Sequence, residues 1–138
     1  MAEGPELRST CPVAASLDIL GDRWTLVVLR DVLIGHRSRF ADFAVDEGIA
    51  TNVLADRLQR LTDAGLLARD RDPEDGRRWV YRPRQPAIDL IPVLLELMVW
   101  GSEHTHGDAP SEILEGMAGD RRQLLDRLAL QASRNLAD

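Results

Sequence analysis

The sequence lacks lysine, has one cysteine, and contains six aromatic residues among its 138 positions. The lone Cys11 excludes an internal disulfide, and no group of cysteines and histidines has the spacing of a zinc site. The longest apolar stretch, residues 91–100, is interrupted by Pro92 and Glu96 and falls far short of the ~20 residues of a membrane-spanning helix. The first ten residues are polar and acidic, unlike a signal peptide. These absences predict a protein of the reducing cytoplasm with no membrane partner.

Composition and charge favour a globular domain with one basic region. Hydrophobic residues make up 44% of the chain and charged residues 29%, which is enough apolar material for one core. All 17 basic residues are arginines, and against 23 acidic residues they leave a net charge of −6. Residues 23–84 hold 12 arginines and 10 acidic residues, whereas residues 1–22 hold one against four and residues 85–138 four against nine. Only the middle of the chain therefore suits a polyanionic ligand. Because its excess of positive charge is modest, the arrangement of its arginines on the surface must favour binding as well.

Apolar periodicity predicts two helices at the start of the domain. Pro12 suits a first helical position, and the first helix runs from it to Gly21 with one apolar stripe. Asp22 can cap a second helix over residues 24–34, whose apolar residues nearly encircle it. A helix that is apolar most of the way round is expected at the centre of the core.

A helix-turn-helix is predicted next. Residues 40–44 have the 3–4 spacing of a short third helix, which Asp46, Glu47 and Gly48 end. A fourth helix, capped by Ala50 or Thr51, ends at Gly65 and carries the apolar stripe Leu54, Leu58 and Leu61. Two short helices joined by a glycine-containing turn and packed on a buried helix form a helix-turn-helix.

The period then changes to that of strands. The segments LLARDRD and RRWVYR alternate on either side of a turn at residues 73–76, which predicts a two-stranded hairpin, or wing. The alternation places Trp79 and Tyr81 on the inner face, and it places Val80 on the opposite face between two arginines. We therefore expect Trp79 and Tyr81 in the core.

A long helix is predicted over residues 86–103, with a kink at Pro92. Its two apolar faces exceed what a monomer of this size can cover, which indicates packing against a second subunit. A short helix then begins at Pro110, is interrupted at Gly119, and is followed by an amphipathic helix that Asp120 can cap.

These segments together resemble the HxlR-type winged helix-turn-helix transcriptional regulators, which are related to the MarR group. The resemblance covers about residues 11–101 and rests on four segments: CPVAASLDILGDRWTLVVLRDVLIG, GIATNVLADRLQRLTDAGLL, VYR and LIPVLLELMVWG. It implies a mainly α fold with a small β-hairpin wing, dimerised through the N-terminal and long C-terminal helices. It also implies a cytoplasmic, typically bacterial regulator. Several such proteins are thought to sense oxidants, electrophiles or aldehydes through a cysteine near the N-terminus.

The expected division of the chain follows from this match. Residues 1–10 form an N-terminal tail, residues 11–104 the winged helix-turn-helix domain, and residues 105–138 a C-terminal helical extension. In this family a serine often stands where this chain has Ala50. Because alanine has no side-chain acceptor, the fourth helix of this chain lacks the cap that the serine would provide.

The fourth helix and the wing supply the candidate DNA-binding residues. Asn can pair with adenine and Arg with guanine when they project from a helix in the major groove. Arginines of a wing can follow phosphates or enter the minor groove. The candidates are Thr51, Asn52, Val53, Asp56, Arg57 and Arg60 on the helix, with Arg77 and Arg78 on the wing. The competing interpretation is a solvated surface whose arginines pair with nearby acids such as Glu74 and Asp75.

Cys11 is the candidate sensor. It precedes Pro12 at a helix start, where unpaired backbone N–H groups favour a thiolate, and Arg8 lies nearby in sequence. A small buried side chain at a dimer interface is the alternative. His36, His104 and His106 have no ligand spacing, so we expect neither a metal nor a cofactor. No catalytic constellation occurs, so an enzyme is not expected.

The sequence therefore predicts a sequence-specific DNA-binding transcriptional regulator. It would act as a homodimer on a pseudo-palindromic double-stranded operator, with a small-molecule effector left open as a further partner. The alternative is a winged-helix module for protein interaction with weak DNA affinity, which the acidic total charge favours.

Overall fold

The computed structural model describes residues 10–137. It is mainly helical with one two-stranded antiparallel sheet, as predicted. The elements are α1 Pro12–Leu20, α2 Thr25–Leu33, α3 Thr51–Asp63, β1 Leu67–Arg71, β2 Trp79–Pro83, α4 Gln85–Ile88, α5 Ile91–His104, α6 Ser111–Ala118 and α7 Arg121–Ser133, with a 3₁₀ turn at Phe40–Asp42. No helix in this part of the chain is long and apolar enough to cross a membrane.

Helix α2 lies at the centre of the core, as its nearly continuous apolar surface predicts. Val28, Leu29 and Leu33 are completely buried, and α2 contacts α3, β2, α4, α5 and α7. The predicted stripe of α3 (Leu54, Leu58 and Leu61) is buried against it. The reverse face of α3 is thereby turned to solvent, which positions the candidate site.

The third helix predicted over residues 40–44 is wrong: only a 3₁₀ turn of three residues forms there. Ala44 has a φ of +48°, which an α-helix of L-residues does not tolerate. The buried carboxylate of Asp31 accepts the N–H of Ala44 at 2.6 Å and holds it in this conformation. A side chain of α2 therefore sets the shape of the turn that precedes α3.

The hairpin formed by β1 and β2, the wing, has the predicted position. Arg71 pairs with Trp79 and Arg69 with Tyr81, while Tyr81 is buried edge-on against Phe43. Two expectations about its faces are wrong. Trp79 packs against the core but is only half-buried, and Val80 is buried rather than outward-facing. Arg39 forms a β-bridge with Val80 and covers it from the second side.

The single helix predicted over residues 86–103 is also wrong, since the chain breaks at residues 89–90 into α4 and α5. Pro92 lies in the first turn of α5. A backbone N–H at this position would have no acceptor within the helix, so proline loses no hydrogen bond here. It therefore begins a helix and does not kink one.

Helices α6 and α7 cover one of the two apolar faces of α5. Ile113 and Met117 of α6 and Leu124 and Leu128 of α7 are buried in the same core as α2. Asp120 caps α7 by accepting the N–H of Gln123 at 3.1 Å, as predicted. The boundary proposed at residues 104–105 stays a prediction.

Candidate nucleic-acid interface

The outer face of α3 carries most of the residues predicted to contact DNA. Thr51, Asn52, Asp56 and Arg60 are exposed, and Val53 is half-buried beside them. The side chain of Ala50 cannot cap the helix, so the first-turn N–H groups remain available at this end. A polar face next to a helix N-terminus suits both base edges and phosphates.

Arg57 is the exception, because it turns toward α2. Its Nε lies 2.9 Å from Asp22 Oδ1, and its guanidinium also contacts Asp56. The carboxylate of Asp22 also accepts the N–H groups of Trp24 and Thr25 and the hydroxyl of Thr25. Arg57 therefore joins α3 to the start of α2, and only 20% of its side chain is exposed.

The pKa of Asp22 reflects this network. Partial burial raises the pKa of Asp22, but hydrogen bonds from Thr25 and Arg57 and from the backbone outweigh it and bring the value down to about 2. The carboxylate is consequently ionised at any physiological pH.

The turn of the wing combines two arginines with two acids. Arg77 and Arg78 both pair with Asp75, at 3.1 and 3.2 Å, while Glu74 pairs with Arg39 at 2.8 Å. Hydrogen bonds from Arg77, with Arg78 nearby, lower the pKa of Asp75. The acids of the turn are thus paired with Arg77 and Arg78 of the wing and with Arg39 outside it, and the side chains of Arg77 and Arg78 remain 91% and 61% exposed.

Two further arginines of the wing are not among the residues predicted to contact DNA. The guanidinium carbons of Arg69 and Arg71 lie 3.9 and 3.7 Å from the centre of the Trp79 ring. Within residues 10–137, no carboxylate comes within ion-pair distance of either one. Alternation along β1 places both on the Trp79 side of the sheet, which was the available signal. The aromatic ring orders two cations, and within the described part of the chain no acid pairs with either of them.

Cys11 occupies the N-cap position of α1 and is exposed. Interactions with the backbone of Ala14, and to a lesser degree Val13, lower the pKa of its thiol. Arg8, the predicted neighbour, lies outside the described residues. His104 lies against Trp100, with the ring centres 5.0 Å apart and the ring planes tilted by 38°. Among residues 10–137, no three His, Cys, Asp or Glu side chains are grouped so that they could hold a metal.

Two apolar surfaces lie exposed on the helices. Helix α1 buries none of its residues, and Val13, Leu17 and Ile19 are 41–68% exposed. The face of α5 not covered by α6 and α7 exposes Val93, Leu97 and Trp100 to a similar extent. We call these the α1 face and the α5 face. Of the nine large hydrophobic side chains exposed among residues 10–137, six lie on these two faces, which is typical of a surface that another chain covers.

Comparison with known proteins agrees with this architecture. The model of the HxlR-like helix-turn-helix family matches residues 19–109. An uncharacterised HTH-type transcriptional regulator of Mycobacterium tuberculosis strain H37Rv is 37% identical over 92 residues, which are 67% of this chain and 58% of that protein. The uncharacterised HTH-type regulator YvaP of Bacillus subtilis is 32% identical over 67% of this chain and 87% of its own length. The match thus spans little more than half of the mycobacterial relative.

Solved structures show the same fold. The crystal structure of PA1607, named as a candidate transcription factor, superposes with a TM-score of 0.65 at 31% identity, covering 75% of this chain and 71% of that one. The reduced form of the regulator YodB from B. subtilis superposes with a TM-score of 0.56 at 24% identity, covering 72% of this chain and all of YodB. The chain belongs to the HxlR-like helix-turn-helix family.

Proposed function

We propose that this protein is a cytoplasmic transcriptional regulator that binds double-stranded DNA through α3 and the wing. The observation that carries the proposal is the contrast in charge pairing across this surface. The acids of the wing turn are engaged by Arg39, Arg77 and Arg78, while Arg69 and Arg71 lie on Trp79 without an acid partner among residues 10–137. A chain with a net charge of −6 thereby presents local positive charge beside the exposed polar face of α3.

We further propose that it acts as a homodimer through the α1 and α5 faces. Both faces expose large apolar side chains, and homodimers bury such surfaces. Two copies of α3 would then enter successive major grooves, about 34–36 Å apart, on a pseudo-palindromic operator. Thr51, Asn52, Val53, Asp56 and Arg60 would face the groove, while Arg57 would position α3 through Asp22.

Substitutions on α3 and the wing are expected to affect DNA binding differently. Arg60→Ala should weaken binding by about 1–3 kcal/mol and relax the preference at one base position, because it removes a base contact. Arg78→Ala and the pair Arg69→Ala with Arg71→Ala should weaken binding to all sequences alike, since they remove phosphate contacts. Fluorescence anisotropy with operator and scrambled duplexes separates these effects.

The salt dependence of the same titrations tests the proposed function itself. Each lost phosphate contact should reduce the slope of log affinity against log salt by about one. Arg122→Ala on α7 is the control, because Arg122 is 91% exposed and distant from the wing in the chain. A wild type with no salt-dependent affinity for any duplex would favour the protein-interaction module instead.

Cys11 is proposed as a redox or electrophile sensor. The thiolate at the start of α1 would add to a quinone through a new C–S bond. With diamide, which takes up two electrons and two protons, it would form a disulfide with the Cys11 of a second copy or with an added small thiol. Either product adds bulk beside the proposed dimer seam. A switch of this kind needs only a few kcal/mol of difference between two dimer arrangements. Diamide should therefore lower the operator affinity of the wild type and leave Cys11→Ser unchanged.

Alkylation rates measured against pH give the thiol pKa independently. A value below the usual ~8.5 agrees with the thiolate that sensing requires. A value at or above it, together with equal responses to diamide in both proteins, would leave Cys11 as a packing residue.

A further inference from the structure

Asp56 is the acidic member of the set of α3 residues that we expect to face the major groove. It is the sixth residue of α3, and its side chain is 56% exposed on the outer face of the helix. A carboxylate repels phosphate groups, so attraction to a polyanion does not account for an acid at this position. A base edge that offers an N–H group is a partner that an acid can recognise.

Arg57 holds the carboxylate of Asp56 in position. The guanidinium of Arg57 donates from Nε to Asp22 at 2.9 Å and from Nη1 to Asp56 Oδ2 at 2.5 Å. Because Arg57 is half-buried and anchored before the start of α2, it restricts the rotamers open to Asp56. It also offsets part of the negative charge of Asp56, which lowers the cost of bringing an acid close to DNA.

The other oxygen of this carboxylate is open to a ligand. Arg57 and Arg60 both approach Oδ2, Arg60 at 3.9 Å, and no hydrogen-bond donor of residues 10–137 reaches Oδ1. An ionised carboxylate has acceptor sites on both of its oxygens. The pairing with Arg57 therefore leaves a hydrogen-bond acceptor that is oriented before DNA arrives, as selective recognition requires.

We propose that Asp56 reads a cytosine of the operator, by accepting a hydrogen bond from the exocyclic amino group of that base at Oδ1. This role rests on the proposed function, since it needs α3 in the major groove. Cytosine presents only the N4 amino donor there, which suits a group that can only accept. Adenine places its N7 acceptor beside its amino group, and guanine and thymine present acceptors without a donor. Each of these three bases would bring a lone pair toward the carboxylate.

Arg60 extends the readout from the next turn of α3. Its side chain is 53% exposed, and an arginine suits the O6 and N7 acceptors of guanine. Residues four apart are separated by about 6 Å along a helix axis, whereas neighbouring base pairs are about 3.4 Å apart. Asp56 and Arg60 together therefore predict a half-site with a cytosine and a guanine one or two base pairs apart.

Selection from a duplex library with a randomised core that spans two major grooves tests this role in the full chain. The wild type is expected to select cytosine at one position of each half-site. Asp56→Ala should lose that preference and keep the others. Asp56→Asn should shift it to adenine, because the asparagine amide pairs with N6 and N7 of adenine. The duplex that the wild type selects should bind Asp56→Ala about tenfold more weakly, the discrimination expected of one base contact.

Asp63→Ala is the matched control. Asp63 is an exposed acid seven residues further along α3, so it lies about two turns closer to the C-terminal end. Base edges are contacted from the N-terminal part of a recognition helix, and Asp63→Ala should therefore leave the selected bases unchanged. A scrambled duplex gives the second control. Asp56→Ala should bind it at least as well as the wild type does, because an acid is removed, whereas a damaged fold would weaken binding to every duplex.

Three results would overturn the proposal. Asp56→Ala could select the same bases as the wild type, it could bind all duplexes more weakly to the same extent, or the preference that it loses could be for a base other than cytosine. A wild type that binds no duplex, or binds all duplexes alike, would refute the proposed sequence-specific function together with this role. That failure is recognised from the wild type alone, before any variant is compared.

Discussion

Leu17→Asp is expected to convert the protein from dimer to monomer and to lower its operator affinity at least about a hundredfold, because bivalent binding is lost. Leu17 is 56% exposed on α1, a helix that buries none of its residues. The substitution therefore costs the isolated subunit little stability. It places a charge in an interface that we expect to bury more than about 2,000 Å² in total, as apolar homodimer contacts do. Light scattering and operator titration measure the two effects.

Leu130→Asp is the matched control. Leu130 is 64% exposed on α7, outside the α1 and α5 faces, and its substitution should leave both mass and affinity unchanged. Trp100→Asp on the α5 face should behave like Leu17→Asp, because both faces belong to the proposed interface. A wild type that scatters as a monomer at micromolar concentration would contradict the dimer and remove the basis for two half-sites.

Asp22→Ala is expected to lower the free energy of unfolding by about 3 kcal/mol, a large share of the stability of a small domain. The change removes the N–H acceptor at the start of α2 and the carboxylate that holds Arg57 of α3. Asp22→Asn should lose about half as much, because the amide oxygen still accepts at the helix start. Urea unfolding gives both values, with exposed Asp46→Ala as the control. A loss below about 0.5 kcal/mol would refute this role.

The same carboxylate predicts a pH dependence. Its pKa is about 2 in the folded chain and near 3.8 in a free aspartate, so its stabilising effect is present above pH 4. That contribution should disappear as the pH falls from about 4 to 2, since protonation removes the charge that Arg57 meets. Asp22→Asn should show a shallower decline over the same interval than the wild type.

The elements that depend on local periodicity were predictable from the sequence. The spacing of Leu54, Leu58 and Leu61 identified the buried face of α3, and the alternation of apolar and polar residues identified the two strands of the wing. A core position for α2 followed from its lack of a polar face. In each case, neighbours within a few positions decide the outcome, and the sequence contains them.

The features that depend on residues far apart in the chain were not predictable from the sequence. Arg57 looks like a margin residue of α3, but its partner Asp22 lies 35 positions earlier. Ala44 is turned out of a helix by Asp31, 13 positions away. Pro92 is compatible with either a kink or a helix start, and only the break between α4 and α5 at residues 89–90 makes it a helix start. The stacking of Arg69 on Trp79 required the strand register.

The hydrogen bonds on the two edges of β2 determine which edge of the wing is open to another chain. One side of β2 is paired with β1, and the other is covered by Ser38, which accepts the N–H of Tyr81, and by Ala137. Among the described residues, the free edge is therefore that of β1, which carries Arg69, Asp70 and Arg71. Charges on an exposed strand edge discourage the addition of a foreign strand and hence aggregation. The wing can thus project from the core without acting as a template for intermolecular sheets, and the residues that protect it are among those proposed to contact DNA.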